Sequence, residues 1–219
     1  MVVVSQFMLT FGSDPNAKVT KKSKSPLSFH PIALIFGLLS FVSYLVEGAV
    51  GDWSALYLFE DKGIVIEEAV MGVMLFNGTM CIGRLLGNRL GKHLTSKQVV
   101  VGGYLLGSIA MGLIVFLPGH ASMYTYLLLG ISLAMIVPNL FSAMGEQNVI
   151  PMTQAVATST MLGYMGILMG PALIGFIAHG TSLTVAFIVL TTLLVVSAGI
   201  GKYAYHLMSK DCGLSEEQI

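Results

Sequence analysis

From Pro31 to Tyr203 the chain repeats one pattern: an apolar run of about twenty residues, then a short polar break. A helix of that length crosses the ~30 Å hydrocarbon core of a bilayer at ~1.5 Å per residue. Water does not reach the backbone there, so each run must pair its own N–H and C=O groups, and an α-helix does so. The expected spans are 31–50, 68–86, 98–117, 122–144, 153–178 and 183–203. Of the 219 residues 55% are hydrophobic and 10% charged, against the ~25% charged residues of an ordinary soluble domain. The expected fold is all-α: a polytopic membrane protein whose six transmembrane helices form one bundle over residues 30–206, with the lipid bilayer as its first partner.

The flanks read differently. Residues 1–11 are apolar but too short to span and lack a basic lead, so they resemble the remnant of a preceding membrane helix. Residues 12–29 form a basic linker, in which Ser28 can cap a helix that carries Pro31 in its first turn. Residues 207–219 form a polar tail. Lys18, Lys21, Lys22, Lys24, Arg84, Arg89, Lys92, Lys97, Lys202 and Lys210 fall near one side of the predicted bundle, and Lys62 alone near the other. Cytoplasmic loops collect Lys and Arg, so both termini are expected in the cytoplasm.

The formal net charge is zero, which gives no reason to expect a nucleic-acid partner. Cys81 lies in an apolar run and Cys212 in the tail, with no metal-ligand spacing around either. No Ser/His/Asp set and no phosphate loop is visible, and His93, His120 and His179 fall in expected loops. Neither an enzyme nor a metal or cofactor is expected.

Polar residues are unevenly distributed. In the first span Ser40, Ser43, Tyr44, Glu47 and Gly51 recur at helical spacing and make one stripe. A polar stripe on a lipid-length helix faces protein or a water-filled cavity. Measured from Pro31, Glu47 falls in the outer third of a span that ends near Val50, while Asp52 and Trp53 belong to the interface. A carboxylate at mid-span costs ~2.5–3.5 kcal/mol on insertion scales, which makes Glu47 a candidate proton- or solute-binding group. Hydration near the surface, or pairing with a neighbour, is the plain alternative. Gly48 and Gly51 are places where this helix can loosen. The second span carries Asn77, with Cys81, Arg84 and Asn88 on the same face. Asn77 suits either a solute or an interhelical hydrogen bond.

Pro138 is expected to loosen the fourth span beside Asn139. The fifth carries Tyr164, whose hydroxyl can reach a cavity, and Gly163, Gly166, Gly170 and Pro171, which suit close helix packing and a kink. Spans three and six have no ionisable residue in their middles and read as scaffold at the lipid boundary.

Three stretches resemble the C-terminal half of a major facilitator superfamily transporter. Gly83-Arg84-Leu85-Leu86-Gly87-Asn88-Arg89-Leu90 is similar to the family's glycine- and arginine-rich gate motif, with Asn88 where the family usually has Asp. Gly163-Tyr164-Met165-Gly166 through Gly170-Pro171 resembles the glycine-rich eleventh helix of the fucose-permease-like and sugar-transporter-like branches. Glu47 to Leu58 resembles the end of the seventh helix in the same branch. The resemblance implies secondary active transport of a small solute, often proton-coupled, with two six-helix bundles rocking about a central site. It points to the bacterial inner (plasma) membrane. Glu47, Asn77, Asn139 and Tyr164 become candidates for binding solute or protons. Gly83, Arg84, Gly87, Asn88 and Arg89 are assigned to the cytoplasmic gate. A transport cavity needs two walls, so the partner is an N-terminal six-helix half or a second copy, unless the chain is a truncated, inactive fragment. A non-transporting six-helix protein, such as a channel subunit or an assembly factor, is the alternative.

Overall fold

Pro31 opens helix α1 (Pro31–Glu60), where its missing N–H has no intrahelical partner to lose. The computed structural model describes Leu27 and residues 30–90, 94–147 and 149–212, without the side chains at 88–90 and 211–212. The expected remnant helix at 1–11, the basic linker, Ser28, Lys92 and His93 lie outside the described residues. The cap of α1 is His30, whose Nδ1 accepts from the Ile32 N–H at 3.4 Å.

The first helix does not end near Val50. It continues to Glu60, because its inside–outside pattern continues: Ser54, Tyr57 and Leu58 are buried while Gly51, Asp52, Phe59 and Glu60 are exposed. It also passes unbroken through Gly48 and Gly51. Asp52 is accordingly a helix residue on an exposed face. Gly63, at φ +68°, then turns the chain through a conformation that suits glycine, and the Ile64 N–H donates back to the Leu58 carbonyl.

Helix α2 (Ile66–Leu90) starts with Glu67 and Glu68 in its first turn, where acids favour the positive end of the helix dipole. Helix α3 (Ser96–Phe116) begins with a capping box in which Thr95 and Gln98 satisfy each other's backbone N–H. It stops before Pro118.

The fourth span is two helices, α4 (Gly119–Ala134) and α5 (Ile136–Glu146), broken at Met135. Pro138 has no N–H to give to the Ala134 carbonyl, and its ring crowds that carbonyl, so the break falls one turn ahead of the proline. Asn139 repairs the far side, donating both its backbone N–H (3.2 Å) and its Nδ2 (2.8 Å) to the Met135 carbonyl. Buried Gln147 organises the next turn. Its Oε1 accepts from the Val149 and Ile150 N–H groups, and its Nε2 donates to the Met144 and Ile150 carbonyls. Helix α6 (Met152–Gly180) and helix α7 (Leu183–Cys212) complete the bundle.

Among the described residues six stretches are long and apolar enough to cross a membrane, α4 and α5 counting as one. The most extensive pairings are α1 with α6, α2 with α4, and α3 with α7. The α1–α6 pair is close because α6 presents glycines to it. A Cβ on Gly163 would meet the Tyr44 ring at 2.7 Å, and one on Gly170 the Leu45 carbonyl at 2.6 Å. A Cβ on Gly166 would overlap the Phe41 carbonyl. Small residues allow this backbone approach, which drives helix association where lipid supplies no hydrophobic force. Trp53, expected at the interface, is half-buried here, and its Nε1–H donates to the Pro171 carbonyl at 3.0 Å.

Two polar contacts tie the end of the bundle that holds the 61–65 turn. His120 and Glu68 meet at 2.7 Å between the first turns of α4 and α2, so His120, expected in a loop, is helical and paired while its side chain stays exposed. His179 likewise lies in the last turn of α6. Lys62 Nζ donates to the Val115 (2.6 Å) and Leu117 (2.9 Å) carbonyls, which the end of α3 leaves without helical partners. Burial pulls the Lys62 ammonium below its ordinary pKa, and Asp61 opposes the shift. Lys62→Met keeps the apolar stem and removes both donors. It should lower stability by ~1–2 kcal/mol, measured by thermal unfolding in detergent; an unchanged midpoint would show that the two bonds contribute nothing.

Candidate functional site

Glu47 is the seventeenth of the thirty residues of α1, at the middle of the helix. Its carboxylate is mostly buried, with 15% of the side chain exposed. Arg84 Nη2 donates to Glu47 Oε1 at 2.5 Å from the neighbouring helix α2. Arg84 lies six residues before the end of α2. The residue expected at the gate is thus joined to the residue expected to bind solute or a proton. Each offsets the cost of the other's charge inside an apolar span.

One turn from Glu47, the Tyr44 ring lies parallel to the Tyr164 ring of α6, with centroids 6.3 Å apart and planes at 4°. Tyr164 is exposed, and so is Asn77, two turns along α2 on the Arg84 face. Glu47, Arg84, Tyr44 and Tyr164 therefore belong to one polar patch across α2, α1 and α6, and no described contact joins Asn77 to it. Asn77 Nδ2 donates to the Val73 carbonyl of its own helix at 2.9 Å. Asn139 is not brought to this patch by any described contact; its Nδ2 is held by Met135 at the helix break.

Of the gate motif, Gly83 and Gly87 are buried. A Cβ on Gly83 would meet Ala134 of α4 at 2.6 Å, and one on Gly87 would overlap Met135. These two glycines seat α2 against the broken fourth span. The side chains of Asn88 and Arg89 lie outside the described residues.

The α1 stripe divides in two. Ser40 and Ser43 turn inward, and Ser43 Oγ meets Tyr104 Oη at 2.8 Å, the Tyr104 hydroxyl also donating to the Leu39 carbonyl at 2.7 Å. Tyr44 and Glu47 turn toward α2 and α6. Tyr44 and Tyr164 were each visible in the sequence, but their pairing was not. The Glu47–Arg84 pair had one sequence signal, a single acid and a single base inside consecutive apolar runs. Among the described residues no group of three His, Cys, Asp or Glu side chains could hold a metal. A carboxylate held by a guanidinium in a half-exposed apolar setting can exchange that partner for a proton or for a solute hydroxyl.

No protein-family model matches the chain. It is 41% identical over 168 residues to an uncharacterized MFS-type transporter of Yersinia pestis, an alignment covering 75% of this chain and 43% of that protein. It is 30% identical over 170 residues to the membrane protein MosC of Rhizobium meliloti, covering 76% of this chain and 42% of MosC. The chain thus spans less than half the length of these relatives, and it matches the C-terminal half. In fold it is similar to the fucose:proton symporter FucP of E. coli, with a TM-score of 0.75 at 15% identity over 93% of this chain and 52% of FucP.

Proposed function

Because the chain belongs to the major facilitator superfamily, as one six-helix half of the fold, we propose that it forms the C-terminal wall of a proton-coupled carrier for a small polar solute. The observation that carries this reading is the Glu47–Arg84 pair at the centre of α1, on the face shared by α2 and α6. A second six-helix bundle, preceding this one as in the longer relatives or supplied by another chain, closes the cavity against that face. The two walls rock about the site and open it to each side in turn.

Proton coupling rests on the likeness to FucP and on the chemistry of the pair. While Glu47 is ionised it holds Arg84. A proton on Glu47 weakens the pair and frees the guanidinium to bind a solute oxygen. Return of the carboxylate to Arg84 expels the solute. Tyr44 and Tyr164 supply hydroxyl groups beside it and Asn77 an amide two turns along α2, the kind of groups that recognise a polyol. The reading puts both termini on the cytoplasmic side of a bacterial inner membrane; the basic end that Lys97, Lys202 and Lys210 make against Lys62 supports it.

The test is solute-driven proton entry into vesicles carrying the chain together with the N-terminal half of the Yersinia pestis relative, over monosaccharides that include L-fucose. Wild type should acidify the lumen with at least one sugar, and Glu47→Gln should reduce that signal to background. Acidification that keeps its size and pH dependence in Glu47→Gln would remove Glu47 from the coupling role.

A further inference from the structure

The outward face of α7 carries a second feature that the transport site does not use. Gly199, Lys202, Tyr203 and His206 line a cleft of about 280 Å³. Their spacing of three, four and seven residues puts them on one stripe, and all four are exposed. The same stripe continues back along the helix through Val195, Thr192 and Ile188, also exposed and free of charge. The polar cleft is therefore the head of an apolar track.

Its depth follows from the helix itself. Leu183 to Gly201 is nineteen residues without an ionisable side chain, about 28 Å at the α-helical rise. That matches the ~30 Å hydrocarbon core, so Lys202 begins where acyl chains give way to headgroups. Tyr203 is an aromatic of the kind enriched at that level. Gly199 leaves the cleft open, since a Cβ there would meet nothing within 4 Å. A Cβ on Gly201 would lie 3.6–3.7 Å from Val101 and Val100, so the start of α3, with Lys97 one turn before, flanks the same end.

We infer that this cleft binds the headgroup of an anionic phospholipid, with one acyl chain along Val195, Thr192 and Ile188. Lys202 supplies charge and donors to the phosphate, Tyr203 supplies a hydroxyl, and the track supplies the apolar length that a free anion would not need. A phospholipid fits both halves of the stripe; inorganic phosphate fits only the head.

The test is native mass spectrometry of the chain released from micelles doped with phosphatidylglycerol or with phosphatidylethanolamine. Wild type should retain phosphatidylglycerol in preference. Lys202→Gln should cut that retention about fivefold, the effect of one basic residue near a membrane surface, and Lys202→Arg should restore it. Gly199→Trp fills the cleft from outside without touching the bundle, and should lower retention in a protein whose circular dichroism is unchanged. Equal retention of the two lipids, or indifference to both Lys202→Gln and Gly199→Trp, would overturn the assignment. Displacement of phosphatidylglycerol by millimolar inorganic phosphate would overturn it too, by making the cleft a phosphate site.

Discussion

Gly166→Ala should remove most of the folded protein, although it adds a single methyl group. The new Cβ would occupy the position of the Phe41 carbonyl on α1, and a backbone atom cannot rotate away as a side chain can. α1 and α6 must then separate along the longest contact in the bundle, and the stacking of Tyr44 on Tyr164 goes with it. Overpacking of side chains costs ~1–3 kcal/mol; against backbone the cost should be at least ~3 kcal/mol. Gly78→Ala is the matched control. It lies in the middle of α2 with nothing within 4 Å of a Cβ, so gaining helix propensity should leave it neutral or raise stability by up to ~1 kcal/mol. Thermal unfolding in one detergent separates the two. Equal midpoints would mean that α1 and α6 are not in contact at Gly166.

The second large effect concerns the ion pair. Arg84→Met leaves the Glu47 carboxylate in an apolar span without its partner. Breaking a fully buried pair costs ~3–5 kcal/mol and an exposed one ~1 or less, so a pair with 15% and 40% of its side chains exposed should lose about 2 kcal/mol. Glu47→Gln should cost less, because Arg84 is the more exposed member and has the longer side chain with which to find water. Glu47→Gln combined with Arg84→Met removes both charges and should recover most of the Arg84→Met loss. That non-additivity is the signature of a direct pair. Additive losses would mean that the two groups do not interact in the membrane.

Much of this architecture is legible in the sequence because lipid imposes it. A run such as 183–201 has one way to satisfy its backbone, and Pro31 and Pro118 mark helix limits by what they lack. What failed was length. Nothing local stops α1 at Val50, since Trp53, Ser54, Tyr57 and Leu58 continue the inward face; the stop comes from Gly63. With that extension Glu47 lies at the middle of the helix instead of near its end. The break at Met135 was legible as a proline effect, displaced by one turn because the group deprived by Pro138 is four residues back.

The site was half legible. Glu47, Asn77, Arg84 and Tyr164 could each be picked out as polar residues in apolar runs. Which of them meet depends on how α1, α2 and α6 cross. Glu47 and Arg84 are 37 residues apart in sequence, and their approach is set by packing that no local pattern encodes. Asn139 is the opposite case: conspicuous in sequence, and held by its own helix break.

The central claim is that the face of α2 carrying Asn77 and Arg84 borders water in the membrane, as the wall of a solute path does. Cys81 tests it without a designed probe. It is a free, exposed thiol between those two residues on the same helix face. In membranes holding Cys212→Ser protein, a charged, water-soluble methanethiosulfonate reagent should modify Cys81, and Cys81→Ser should abolish the signal. A Cys81 that reacts only with a bilayer-soluble maleimide, and not with the charged reagent, would place this face against lipid and contradict the account.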